Sequence, residues 1–144
     1  KKIEDSNKMQ VGQIFPKDFF NGHEQMQNKI KNNCKYYLID FWYSYCGPCI
    51  AGFPRLKEIY IQFHKKGFDI VSISSDQQND EENYLAAIKK YSLIWNNVWD
   101  KDGVLSKKFN INTYPTYILL DKNDKVISYN IKADQLEAFL KDNL

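Results

Sequence analysis

The chain has 144 residues, of which 43% are hydrophobic, 15% aromatic and 26% charged, enough for one domain whose core needs no disulfide staples. Twenty Lys plus Arg against 18 Asp plus Glu leave a net charge of +2, and the basic residues fall in scattered pairs such as Lys65-Lys66, Lys89-Lys90 and Lys107-Lys108. That balance argues against a nucleic-acid binder, and no apolar run approaches the roughly 20 residues that span a bilayer.

Residues 1–10 are polar and unpatterned and read as a tail or linker, with the domain proper over 11–144. The chain starts at Lys1 and not Met, as expected of a trimmed sequence; a secretory signal or lipid anchor would have belonged to the missing piece. Tyr36 to Trp42, entered from Lys35, is β-prone and nearly all apolar, which predicts a strand buried on both faces. Cys49 to Lys66 has helical spacing, with Phe53, Leu56, Ile59, Tyr60 and Phe63 on one face and Gly67 at its end. Phe68 to Ser74 predicts a second strand. Asp80 to Tyr91 predicts a helix capped by Asp80, with Tyr84, Leu85 and Ile88 inward. A short apolar piece at Val98-Trp99 and a short helix from Gly103 to Phe109 follow. Thr116 to Leu120 predicts a strand, 121–125 a turn, and Val126 to Asn130 its hairpin partner. Ala133 to Leu144 closes the chain as an amphipathic helix with Leu136, Phe139 and Leu140 inward. The order predicts an α/β/α sandwich of three layers around a mixed sheet.

Three cysteines are present, Cys34, Cys46 and Cys49, and the last two are three residues apart between a predicted strand and helix. At that place the first sulfur meets the unpaired N–H groups of a helix start, which favour its thiolate. The second thiol is within reach to resolve a mixed disulfide. Pro48 falls in the first helical turn, where its missing N–H does no harm. A structural disulfide and half a zinc site are the other readings of the pair. Structural zinc wants four ligands, and only Cys34, His23 and His64 could complete a set. The placement favours redox chemistry. Cys34 reads as a small apolar residue at a strand entrance, and the two His residues stand in polar stretches and read as surface.

Phe41-Trp42 followed by Cys46-Gly47-Pro48-Cys49 resembles the thioredoxin active site. Asp40 matches the buried aspartate of that family, and Tyr114-Pro115-Thr116 matches the cis-proline that faces its disulfide. The resemblance covers about residues 11–144 and is nearer to the extracytoplasmic TlpA- and ResA-like branch. The 39 residues from Asp76 to Pro115 leave room for that branch's inserted helix and strand, and Pro54 and the 67–71 stretch also fit it. Gly52 stands where many of that branch carry Glu, and Phe68 to Ser75 lacks the Lys that thioredoxins usually set near the aspartate. Peroxiredoxins place Thr where this chain has Tyr43, so a peroxidase reading fails.

The resemblance implies a thiol–disulfide oxidoreductase acting on protein or peptide disulfides, more as a reductase than an oxidant and fed by an upstream electron donor. It implies Cys46 as attacking thiol, Cys49 as resolving thiol, Asp40 as proton acceptor and Pro115 as groove-former. Trp42, Tyr45, Gly47, Pro48 and Tyr114 would form the substrate surface, with Trp42 and Tyr45 as its apolar rim. No metal or organic cofactor, no nucleic acid, a monomer and a bacterial periplasmic or envelope location complete the expectation. A redox-inactive binding module on the same fold is the rival, disfavoured by the intact cysteine pair.

Overall fold

The computed structural model describes residues 10–144, so all of the expected tail except Gln10 lies outside the described residues. After a 3-10 turn at Lys17–Phe20 the elements are α1 (Glu24–Asn33), β1 (Tyr36–Trp42), α2 (Gly47–Phe63), β2 (Phe68–Ser74), α3 (Glu81–Lys90), β3 (Asn96–Trp99), α4 (Val104–Lys108), β4 (Thr116–Asp121), β5 (Val126–Tyr129) and α5 (Ala133–Asn143). The sheet order is β3-β2-β1-β4-β5. β1 pairs with β2, and β2 with β3, in parallel, whereas β4 is antiparallel to both β1 and β5. The predicted mixed sheet, with helices between its strands, is borne out.

Alternation along β1 divides the core in two. Leu38 and Trp42 look toward α2, α3 and α5, packing with Phe53, Leu56, Tyr84, Leu136 and Leu140. Tyr37, Ile39 and Phe41 look the other way, onto Phe15, Phe19, Ile30 and Phe109. β1 and β2 are buried on both faces, as central parallel strands must be. α2 continues through a 3-10 turn to Lys66 and stops where Gly67 takes φ +110°, a conformation that costs other residues a clash at Cβ.

Several expectations need correction. α1 had no counterpart in the sequence reading; it is a polar helix with one buried residue, Ile30. The inward face of α3 is Tyr84 and Ala87 with Ile88 half-buried, whereas Leu85 points to solvent at 54% exposure, because positions 84, 87 and 88 share one face at 3- and 4-residue spacing and 85 lies about 100° round from it. Asp80 sits before that helix without capping it. Neither His is plainly on the surface. His64 is half-buried, stacks on Tyr60 at 4.5 Å and pairs its Nδ1 with the Phe68 carbonyl at 3.0 Å.

Candidate active site

β1 ends at Trp42, and the loop 43–45 carries the chain to Cys46, the N-cap of α2. Gly47 and Pro48 fill the first helical turn, where Pro is tolerated because those amides lack helical acceptors anyway. Cys46 and Cys49 are joined, with S–S 2.09 Å and Cα atoms 5.2 Å apart. The Cys49 amide points back at Cys46 Sγ, 3.2 Å away. A sulfur in that position is the acceptor of a helix start, where partial positive charge accumulates. In this oxidised state Cys46 is 2% and Cys49 1% exposed, while Gly47 and Pro48 are open to solvent. A Cβ on Gly47 would meet nothing within 4 Å, so the space over that residue is free.

Asp40 lies on the face of β1 that carries Leu38 and Trp42, whose core cluster includes both cysteines. It is fully buried. Its Oδ2 accepts from the Ser72 hydroxyl at 2.7 Å, and that hydroxyl accepts from the Trp95 indole N–H at 2.7 Å. Among the described residues Oδ1 has no hydrogen-bond partner. Burial pushes the carboxyl up from 3.8 to about 7, with the Ser72 hydrogen bond pulling the other way. Ser72 therefore stands on the neighbouring strand where the resemblance led one to look for Lys. Tyr117 faces Asp40 across the β1–β4 ladder, and its hydroxyl lies 2.8 Å from where a Cβ on Gly52 would be. A side chain at 52 would have to displace that hydroxyl.

The Tyr114–Pro115 peptide bond is cis. Thr116 Oγ1 donates to the Thr113 carbonyl at 2.6 Å, and the Tyr114 ring stands edge-on to Tyr43 at 5.2 Å. That contact sets Pro115, half-buried, beside the loop leading to Cys46. Tyr45 is 61% exposed, and its hydroxyl donates to Asp80 at 3.1 Å and accepts from Asn83. Trp42 does not join that rim. It is wholly buried, edge-on to Phe53 at 5.3 Å, because it follows Leu38 and Asp40 on the core face of the strand.

Cys34, at the end of α1, is a free thiol at 6% exposure, and burial with Asp69 nearby pushes it up to about 12. Among the described residues no group of three or more His, Cys, Asp or Glu is placed to hold a metal ion. Sequence reasoning missed Ser72, Trp95, Tyr117 and Asp76. Only Asp76 carried a signal, as an acid just beyond an apolar strand.

The thioredoxin-like family model matches residues 32–126. The chain is 29% identical over 139 residues to the thiol-disulfide oxidoreductase ResA of Bacillus thuringiensis subsp. konkukian, covering 95% of this chain and 78% of that protein. Its fold is similar to that of a thiol-disulfide oxidoreductase from Bacteroides fragilis, with TM-score 0.68 and 35% identity over 76% of this chain and 82% of the other. The thioredoxin domain of a Bacteroides vulgatus thiol-disulfide oxidoreductase superposes with TM-score 0.70 at 29% identity, covering 80% and 81% of the two chains.

Proposed function

The chain belongs to the thioredoxin-like family, and from that premise we propose how its thiol–disulfide oxidoreductase chemistry is divided among its residues. The Cys46 thiolate attacks one sulfur of a protein disulfide, forming a mixed disulfide and releasing a substrate thiolate. The Cys49 thiolate then attacks Cys46 Sγ, closing the Cys46–Cys49 disulfide and releasing the second substrate thiolate. Two electrons pass from the dithiol to the substrate, and an upstream dithiol donor restores the starting state. The observation that carries this order is Cys46 Sγ at the N-cap of α2, accepting the Cys49 amide. The attacking thiolate is favoured there.

Asp40 takes the proton from Cys49, since a carboxyl at about 7 is partly ionised at neutrality and can act as base. Substrate chain lies against Tyr114-Pro115 with Tyr45, Gly47 and Pro48 on its other side. The backbone there pairs with an extended segment, so sequence is read loosely. The direction is reduction, and the location is outside the cytoplasm, as in the branch the chain resembles. Among the described residues no helix is long and apolar enough to cross a membrane.

Insulin reduction with two variants tests the division of labour. Cys46→Ser should abolish turnover without trapping substrate. Cys49→Ser should accumulate mixed disulfides, because release depends on the second thiol. Trapping by Cys46→Ser instead would reverse the roles. Equilibration with glutathione buffers tests direction, a low potential marking a reductase.

A further inference from the structure

Ser44, two residues before Cys46, is tied down by a residue 32 positions away in the chain. Both oxygens of Asp76 accept its amide at 3.1 Å, and Oδ1 also accepts its hydroxyl at 2.7 Å. Oδ2 accepts the Ser74 hydroxyl, and the Asp76 carbonyl accepts the Trp99 indole N–H at 2.7 Å. The side chain is 3% exposed. The contact exists because β1 and β2 run parallel with Trp42 opposite Ser74, so both strand ends leave the sheet side by side. The Ser75 amide on the Trp42 carbonyl at 3.0 Å extends that pairing by one step.

A buried carboxylate is costly to keep unless its bonds are worth more than its hydration. The exchange reaction has no use for this one as acid or base. All its side-chain bonds run to the loop that delivers Cys46 or to the strand end beneath that loop. We propose that Asp76 is a positioning residue for Cys46, holding the 43–45 loop through Ser44 so that the sulfur stays at the N-cap when the disulfide is open. This rests on Cys46 being the attacking thiol.

In the oxidised protein the S–S bond itself fixes Cys46 beside Cys49. In the dithiol that tether is gone. What then holds the loop is the Asp76 clamp, the Cys46 amide on the Tyr43 carbonyl at 3.1 Å, the Tyr43 ring against Tyr114, and the Tyr45 hydroxyl between Asp80 and Asn83. Loosening the clamp therefore costs the dithiol more than the disulfide, because a wandering sulfur loses the helix-start amides that favour its thiolate. The sign is distinctive. If the negative charge of Asp76 acted on the sulfur directly, removing it would favour the thiolate, the opposite result.

The test uses the full chain with Ser44→Ala, which keeps the charge and removes one bond, and Asp76→Asn, which removes the charge. Each is equilibrated with glutathione, where the protein dithiol plus glutathione disulfide gives the protein disulfide plus two glutathione thiols, two electrons passing to glutathione. Both variants should shift this equilibrium toward the protein disulfide by about tenfold, equivalent to about 30 mV. Both should also slow iodoacetamide alkylation of Cys46 at pH 7, the labelled residue being mapped by mass spectrometry. An unchanged equilibrium in folded Ser44→Ala, or a shift of Asp76→Asn toward the dithiol, would overturn the proposal while leaving the roles of the cysteines intact. Wild-type label landing first on Cys49 would overturn those roles and the proposal with them. Should Asp76→Asn not fold, Ser44→Ala alone decides.

Discussion

On one face of β1 the Tyr37 hydroxyl donates to Asp124 at 2.8 Å, and Lys31 stands 3.8 Å from that carboxylate's second oxygen. On the other face Asp40 receives one hydrogen bond, from Ser72, and leaves Oδ1 unmatched among the described residues. Both acids are buried. The first has a hydroxyl donor on one oxygen and a cation near the other, so its bonds serve the fold. The second is under-supplied, and a buried acid with too few donors is held near neutral pH between its two forms. Two buried carboxylates on opposite faces of one strand thus do different work because their partners differ, while their burial does not.

Removing the charge from the under-supplied face should have the larger effect. Asp40→Asn should slow disulfide resolution by on the order of 10²-fold, the usual worth of a positioned base. The same substitution should stabilise the folded protein above neutrality. Asp40 is raised when folded, so the native state holds its proton more tightly than the unfolded chain does. Stability is therefore fully present below pH 3.8, falls as pH rises toward about 7, and levels off beyond. The full loss is on the order of 4 kcal/mol at most, and the variant should show no such slope. Denaturant midpoints between pH 4 and 8 give the check. A slope that persists in Asp40→Asn would assign it to another group, and intact turnover would remove Asp40 from the proton transfer.

The contrast between the faces was only half legible in the sequence. Cys46-Gly47-Pro48-Cys49 sits at a strand-to-helix junction, and local pattern alone located it. Asp40 stood out as an acid in an apolar run. Its partners did not, because Ser72 and Trp95 lie 32 and 23 positions from their bonded atoms and meet only through the parallel pairing of β1, β2 and β3. The pairing of Asp76 with Ser44 was hidden for the same reason. Trp42 was misplaced because every residue from 37 to 42 is buried, so alternation cannot say from sequence which face a side chain takes. α1 escaped notice because a helix that buries only Ile30 leaves almost no apolar stripe to read.

On the well-supplied face the effect should appear in stability alone. Tyr37→Phe removes the hydroxyl that Asp124 accepts and leaves that oxygen buried without it. The expected cost is about 1–3 kcal/mol, read from the denaturant midpoint. Insulin reduction should be unchanged once the protein is folded, because Tyr37 packs in the core cluster that does not include the cysteine pair. Equal damage to turnover would erase the division between the faces.

The smallest effect is expected at Cys34, which lies in the same apolar cluster as Tyr37 and away from the cysteine pair. Its thiol is pushed up to about 12 by burial first and by Asp69 second, so almost none of it is thiolate at neutral pH. The thiolate is the nucleophile, so this sulfur is chemically silent in the folded protein. Cys34→Ser should leave insulin reduction unchanged. It should cost stability by about 1–2 kcal/mol, the price of setting a hydroxyl in a slot fitted to sulfur. In the reduced native protein iodoacetamide should label Cys46 and spare Cys34, and unfolding in denaturant should open Cys34 to the reagent. Native labelling of Cys34 at the rate of Cys46, or loss of trapped mixed disulfides when Cys34→Ser is added to Cys49→Ser, would place a second reactive sulfur on the face of β1 that otherwise only packs.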